Sequence, residues 1–308
     1  MKRVAVIVAA LVLIAGGYLI LRNEDDYTRI SVKYGQYDAN VMDIYLPNSD
    51  NSFTATPFVY VHGGGWISGD KMDGREWADR ICNKGYVFIS INYRFIELRR
   101  ESSITCEDIL DDIQAAIGYL KEHADEYRIT VSEIAIGGPS AGGHLALLYS
   151  YTRESPIPVK LVISMAGPTD FTDPSFFEEV ENRPGTGGLL PGDAADIANT
   201  LAGSNYSLAE LRDESLIKPE IGAISPIYHV TATAPYTILA HGDHDNVIPV
   251  SNSIRLEEKM NSVGLGELCC FVRFANSEHT LSNDPDSSNH FYSMVLEQMH
   301  RIGTSVFR

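Results

Sequence analysis

The chain has 308 residues, 44% of them hydrophobic and 21% charged, and its 24 Lys and Arg against 41 Asp and Glu give a formal net charge of −17. That composition supplies material for one large core and excludes the disordered and fibrous classes. The acidic balance argues against nucleic acid as a partner, because phosphate binding needs concentrated Lys and Arg, and it repels polyanions while leaving neutral molecules unaffected.

Met1-Lys2-Arg3 precedes an uncharged apolar run from Val4 to Leu21, and the mostly acidic Arg22-Asn23-Glu24-Asp25-Asp26 follows. Basic before and acidic after predicts a cytoplasmic N-terminus with the rest of the chain exported. Residues 1–26 are therefore expected to be a signal peptide or a membrane anchor, and contact with a membrane is expected through this segment only. The run just suffices to span a bilayer and shows no A-x-A cleavage site, which favours the uncleaved anchor. Residues 27–308 are expected to form the folded domain.

Within it, strands alternate with helices, the pattern of one wide α/β sheet. An antiparallel pair is predicted near 28–37 and 41–46. Further strands follow near 57–61, 86–92, 133–137, 159–165, 235–240 and 269–274, eight in all. Helices are predicted near 73–83, 107–124, 141–152, 251–263 and 287–301. In the second of these, Ile109, Leu110, Ile113, Ala116, Ile117 and Leu120 recur at helical spacing and mark a core-facing stripe.

The strand near 57–61 runs into His62-Gly63-Gly64-Gly65-Trp66. Three glycines between an apolar strand and a tryptophan make a packed turn whose N–H groups can face a cavity, where a developing oxyanion would need them. Farther on, Gly138-Pro139-Ser140-Ala141-Gly142 lies between a strand and a helix, the setting in which G-x-S-x-G forms a nucleophile elbow. The expected donors are the N–H groups of Gly64, Gly65 and Ala141. A nucleophilic serine needs a base, and the base an orienting acid, in the order Ser, Asp or Glu, His on this scaffold. The strand near 235–240 meets His241-Gly242-Asp243-His244-Asp245, which offers Asp245 as the acid and Asp243 as its reserve. His279, in the loop after the strand near 269–274, is the expected base. His62 is expected to shape the glycine turn. His144, His241 and His244 are expected to be structural, and His123, His229, His290 and His300 belong to no motif.

Residues 167–234 carry Pro, Gly and acidic positions with Phe171, Phe176, Phe177, Leu189 and Leu190 interspersed, too much for a plain connection. They are expected to cap the site and help form its pocket. Cys82 and Cys106 are the plausible pair for a disulfide in an exported chain. Adjacent Cys269 and Cys270 point to opposite faces of a strand and should not bond to each other. No Cys/His cluster suggests zinc, and Gly63-Gly64-Gly65 is not a dinucleotide fingerprint.

Taken together, Tyr60 to Trp66 with Gly69 and Lys71, Asn92-Tyr93-Arg94, Asp112, Ala116, Gly138 to Ala146, Ser225-Pro226, His241-Gly242 with Asp245, Val247 and Pro249, and His279 resemble a serine esterase of the α/β-hydrolase superfamily. The resemblance is to the branch holding hormone-sensitive-lipase-like carboxylesterases and bacterial feruloyl and acetyl esterases, and it spans roughly residues 35 to 305. It implies a mostly parallel eight-stranded sheet flanked by helices. It also implies catalysis by Ser140, Asp245 and His279 without metal or cofactor, on a small-molecule ester such as an acetylated or feruloylated sugar. The aspartate of the H-G-x-x-D pattern selects Asp245 over Asp243. Pro139 and Glu278 depart from the branch's usual residues and blur the subfamily. The competing expectations are a peptidase or amidase on the same scaffold, and a binding protein that has lost catalysis.

Overall fold

A computed structural model describes residues 19–22, 27–48, 56–98, 104–173, 176–177, 193–216 and 218–305. Most of the expected signal or anchor, residues 1–18 and 23–26, lies outside these, as do Leu189 and Leu190. Every expected strand is present: β2 (Tyr27–Lys33), β3 (Val41–Pro47), β4 (Phe58–Val61), β5 (Phe88–Ile91), β6 (Ile134–Pro139), β7 (Val159–Met165), β8 (Tyr236–Gly242) and β9 (Cys269–Phe274). A four-residue edge strand, β1 (Leu19–Arg22), pairs antiparallel with β2 and brings the sheet to nine strands among the described residues, so the end of the apolar run contributes to it. The order is β1-β2-β3-β5-β4-β6-β7-β8-β9, antiparallel from β1 through β3 to β5 and parallel from β5 onward.

Four-residue runs such as Phe58–Val61 and Phe88–Ile91 are buried at every position because both faces of a parallel sheet are covered. Alternation divides each strand between two cores. Val59, Val61, Ile89, Ile91, Ile134 and Ile136 pack with α2 (Cys106–His123), α3 (Ala141–Thr152) and α7 (Ser251–Ser262). Phe58, Tyr60, Phe88 and Ala135 pack with α1 (Arg75–Cys82) and α8 (Pro285–Ser305). On the latter face Phe58 meets Trp77 and Phe88 edge-on, at 5.4 and 5.6 Å between centroids, contacts worth about 1 kcal/mol each beyond area burial. Helix α2 starts where Asp108 Oδ2 accepts from Thr105 N–H at 2.9 Å, satisfying one of the donors a helix start leaves open. The six apolar residues of its expected stripe are all buried.

The expected Cys82–Cys106 disulfide is absent: all four cysteines are free. The reason is topological. Cys82 packs in the core with α1 and α8 and Cys106 in the core with α2 and α3, so the sheet separates them.

Between β7 and β8 lie α4 (Asp193–Ala202), α5 (Leu208–Arg212), α6 (Pro219–Ala223) and a 3₁₀ turn at Pro226–His229. Phe171, Phe176, Phe177, Ile197 and Leu201 tie this insertion into the core on the α2–α3 face.

Candidate active site

Ser140 caps α3 at the end of β6, with φ 51° and ψ −121°. A side chain in that region costs on the order of 1–3 kcal/mol, so the surroundings must hold it there. They do so through the backbone. Ser140 N–H donates to Met165 O at 2.7 Å, and Ser140 O accepts from His144 N–H at 3.1 Å. The flanking glycines allow the close approach. A Cβ at Gly138 would lie 1.9 Å from Val61 O, and one at Gly142 would lie 2.0 Å from the same atom. The elbow is therefore pressed against the end of β4, where the glycine turn begins.

That turn follows at once. Gly64 (φ +107°) and Gly65 (φ +61°) adopt the left-handed region that favours glycine, and a Cβ at Gly63 would sit 3.6 Å from Ser140 Cβ. No hydrogen bond among the described residues uses the N–H of Gly64, Gly65 or Ala141. His62 shapes the turn: its Nδ1 lies 2.7 Å from Gly63 O, its ring stacks on Tyr93 at 4.3 Å, and Tyr93 Oη donates to His62 O. Burial first of all lowers the His62 pKa.

His144 also joins the site, with a role the motif did not signal. Trp66 Nε1–H donates to its Nδ1 at 3.2 Å, and its Nε2 sits 2.7 Å from Ile224 O. The carbonyl can only accept, so Nε2 carries the hydrogen. One buried imidazole thus pins the glycine turn, the helix after Ser140 and the insertion together. Burial pushes its pKa down to about 4, partly offset by the bond to Ile224.

Asp245 and His279 meet. His279 Nδ1 lies 2.8 Å from Asp245 Oδ2, so the proton sits on Nδ1 and Nε2 presents a lone pair. Asp245 Oδ1 accepts from Val247 N–H and Ile248 N–H at 2.8 and 2.9 Å. Burial by itself would raise the Asp245 pKa, but hydrogen bonds from His241 and His279 outweigh it and hold the carboxyl well below the usual carboxylate range. Asp243, two residues away, instead pairs with Arg273 at 2.8 Å on the surface.

The third partner is less tightly joined: no hydrogen bond connects Ser140 Oγ to His279 among the described residues. His279 lines a cavity of about 490 Å³ together with Pro139 and Met165, the residues beside and bonded to Ser140. Trp77, Phe291 and Tyr292, from α1 and α8, also line it. None of the described residues of 167–234 lines it.

His241, expected to be structural, touches the acid. Its Nε2 is 3.0 Å from Asp245 Oδ2. The four-residue spacing of H-G-x-x-D was the available signal, since one turn of loop brings the two side chains together.

Comparisons with known proteins bear on the fold and the family of the chain. The chain is 27% identical over 262 residues to the probable carboxylic ester hydrolase LipM of Mycobacterium tuberculosis, covering 80% of this chain and 55% of LipM. It is 26% identical over 297 residues to esterase LipC of the same organism, covering 91% and 68%. It therefore spans roughly half to two thirds of these relatives. Among solved structures, a truncated carbohydrate esterase from gut microbiota superposes with a TM-score of 0.69 at 23% identity, over 90% of this chain and 99% of that one. Esterase B of Lactobacillus rhamnosis gives 0.71 at 18%, over 92% and 88%. These likenesses show the α/β-hydrolase fold. A family model described as BD-FAE matches residues 42–260, well over half of the chain, and the protein belongs to the BD-FAE family.

Proposed function

We propose that the protein is a serine carboxylic-ester hydrolase. The observation that carries the proposal is the Asp245–His279 hydrogen bond at 2.8 Å, opening on a cavity shared with the residues around a strained Ser140. The names of LipM and LipC support the reaction class.

In the proposed reaction Ser140 Oγ attacks the ester carbonyl while its proton passes to His279 Nε2. Asp245 keeps the tautomer and stabilises the imidazolium. The negative oxygen of the tetrahedral adduct is received by the N–H groups of Gly64, Gly65 and Ala141, each worth roughly 2.7–4 kcal/mol by analogy with deletions in other hydrolases. The bond to the alcohol oxygen then breaks as the imidazolium returns its proton to that oxygen. Water repeats the attack on the acyl-serine, losing a proton to Nε2, and the bond to Ser140 Oγ breaks as the imidazolium returns that proton to Oγ, releasing the acid.

The substrate class we propose is a short-chain acyl ester, with an acetylated or feruloylated sugar as the first alcohol component to test. A cavity with an aromatic wall and rim residues such as Ser282, Ser288 and Asn289 supports a neutral, hydroxylated group. Ser140→Ala should abolish hydrolysis of short-chain nitrophenyl esters and labelling by a fluorophosphonate. Turnover surviving that change would refute the nucleophile, and faster cleavage of aminoacyl amides than of esters would move the protein to the peptidase class. We also infer export, on the basic start and the apolar run that follows. Recovery of the full chain in the soluble cytoplasmic fraction would overturn that inference.

A further inference from the structure

His241, the residue before the last of β8, is fully buried with both ring nitrogens engaged. Nδ1 lies 2.8 Å from Ser253 Oγ, on the first turn of α7. Nε2 lies 3.0 Å from Ile248 O and 3.0 Å from Asp245 Oδ2. The carbonyl and the ionised carboxylate can only accept, so Nε2 carries a hydrogen shared between them. Ser253 then donates to the lone pair on Nδ1. The tautomer is thereby set by three partners, two from the loop after β8 and one from α7.

From the acid's side, Oδ1 receives two backbone N–H groups and Oδ2 receives two imidazoles, His279 from the loop after β9 and His241 from β8. A carboxylate with four donors cannot rotate without losing several at once. The second imidazole also binds the very oxygen on which His279 depends.

We propose that His241, oriented by Ser253, is a positioning residue for the esterase reaction: it fixes the plane of Asp245 and shares the charge of Oδ2, setting how strongly the acid holds the His279 imidazolium. This rests on the function proposed above. A purely space-filling His241 would affect folding alone. A positioning one has two further consequences. Without its N–H, Oδ2 is left to His279 and holds the imidazolium more tightly, so the base becomes harder to deprotonate. The acidic limb of kcat/KM then moves to higher pH. The groups facing this chain of bonds are Asp245 and His279, while Ser253 of α7 brings no charge.

The test compares three variants of the full chain on a nitrophenyl ester across pH. His241→Phe keeps a ring but no donor. It should lower kcat on the order of tenfold, as outer partners of buried functional groups do, with KM unchanged and the acidic limb displaced upward. His241→Gln, whose amide nitrogen reaches near the Nε2 position, should restore most of kcat and return the limb. Ser253→Ala, which only frees the ring, should cost a few-fold. If His241→Phe does not fold, Ser253→Ala decides: wild-type kcat and pH profile in that variant overturn the proposal. A folded His241→Phe with kcat within twofold of wild type would overturn it as well. Asp245→Asn separates the two levels. If it leaves the rate unchanged, the triad itself has failed. If it destroys activity while the His241 variants are normal, only the positioning role has.

Discussion

The turn bearing Ser140 and the loops bearing Asp245 and His279 end strands of one sheet, yet different forces hold them. The elbow is held by backbone against backbone: Gly138 and Gly142 leave no room for a Cβ beside Val61 O, and the strain at Ser140 is absorbed by hydrogen bonds from its own main chain. The acid and base are held by side-chain hydrogen bonds converging on one buried carboxylate. Steric placement fails abruptly, whereas hydrogen-bonded placement weakens by steps. The reaction proposed here needs both, since the nucleophile must not move and the base must exchange a proton.

Substitutions can break this contrast at either end. The largest effect is expected at Ser140, where Ala should reduce kcat by about 10⁶, as loss of the nucleophile does in other triad hydrolases. In Ser140→Gly the same loss should come with a gain of about 1 kcal/mol in unfolding free energy, read by denaturant titration, because glycine accepts φ 51° without strain. Next is Asp245→Asn, expected to lower kcat by about 10⁴ through the wrong imidazole tautomer. The Asp245 carboxyl is depressed in the folded state, so its stabilisation is present above about pH 4 and lost as pH falls below it. The Asn variant should show a shallower acid-unfolding slope there.

Gly142→Ala tests the steric side. Its Cβ would meet Val61 O at 2.0 Å, so about 3 kcal/mol of destabilisation is expected, with a hundredfold loss of kcat in whatever remains folded. Wild-type stability in this variant would mean the elbow is looser than its contacts imply. His144 sharpens the comparison by pH. Held neutral by burial at a pKa of about 4, it is harder to protonate than in the unfolded chain. Below pH 6.5 the unfolded state binds the extra proton, so stability should fall by up to about 3 kcal/mol on the way to pH 4. His144→Gln should flatten that segment of the curve. The smallest effect belongs to Asp243→Asn. Its exposed pair with Arg273 is worth well under 1 kcal/mol, and activity should stay within twofold.

Much of this molecule was written locally. Apolar runs with alternating faces mark the strands, the 3.6-residue stripe from Ile109 to Leu120 marks α2, and glycines mark the two turns because no other residue fits them. Such signals act over a few neighbouring residues and survive without knowledge of the rest. Other features were decided only when the chain closed on itself. β5 lies outside β4, Cys82 and Cys106 are walled apart by the sheet, and the cavity beside His279 takes part of its lining from α1 and α8. His279 reaches the acid from another loop, and His144 clamps three segments, though neither residue differs in type from histidines that do nothing of the kind. Side-chain partners separated by dozens of positions depend on strand order and register, and those follow from burying two whole faces at once rather than from any short stretch of residues.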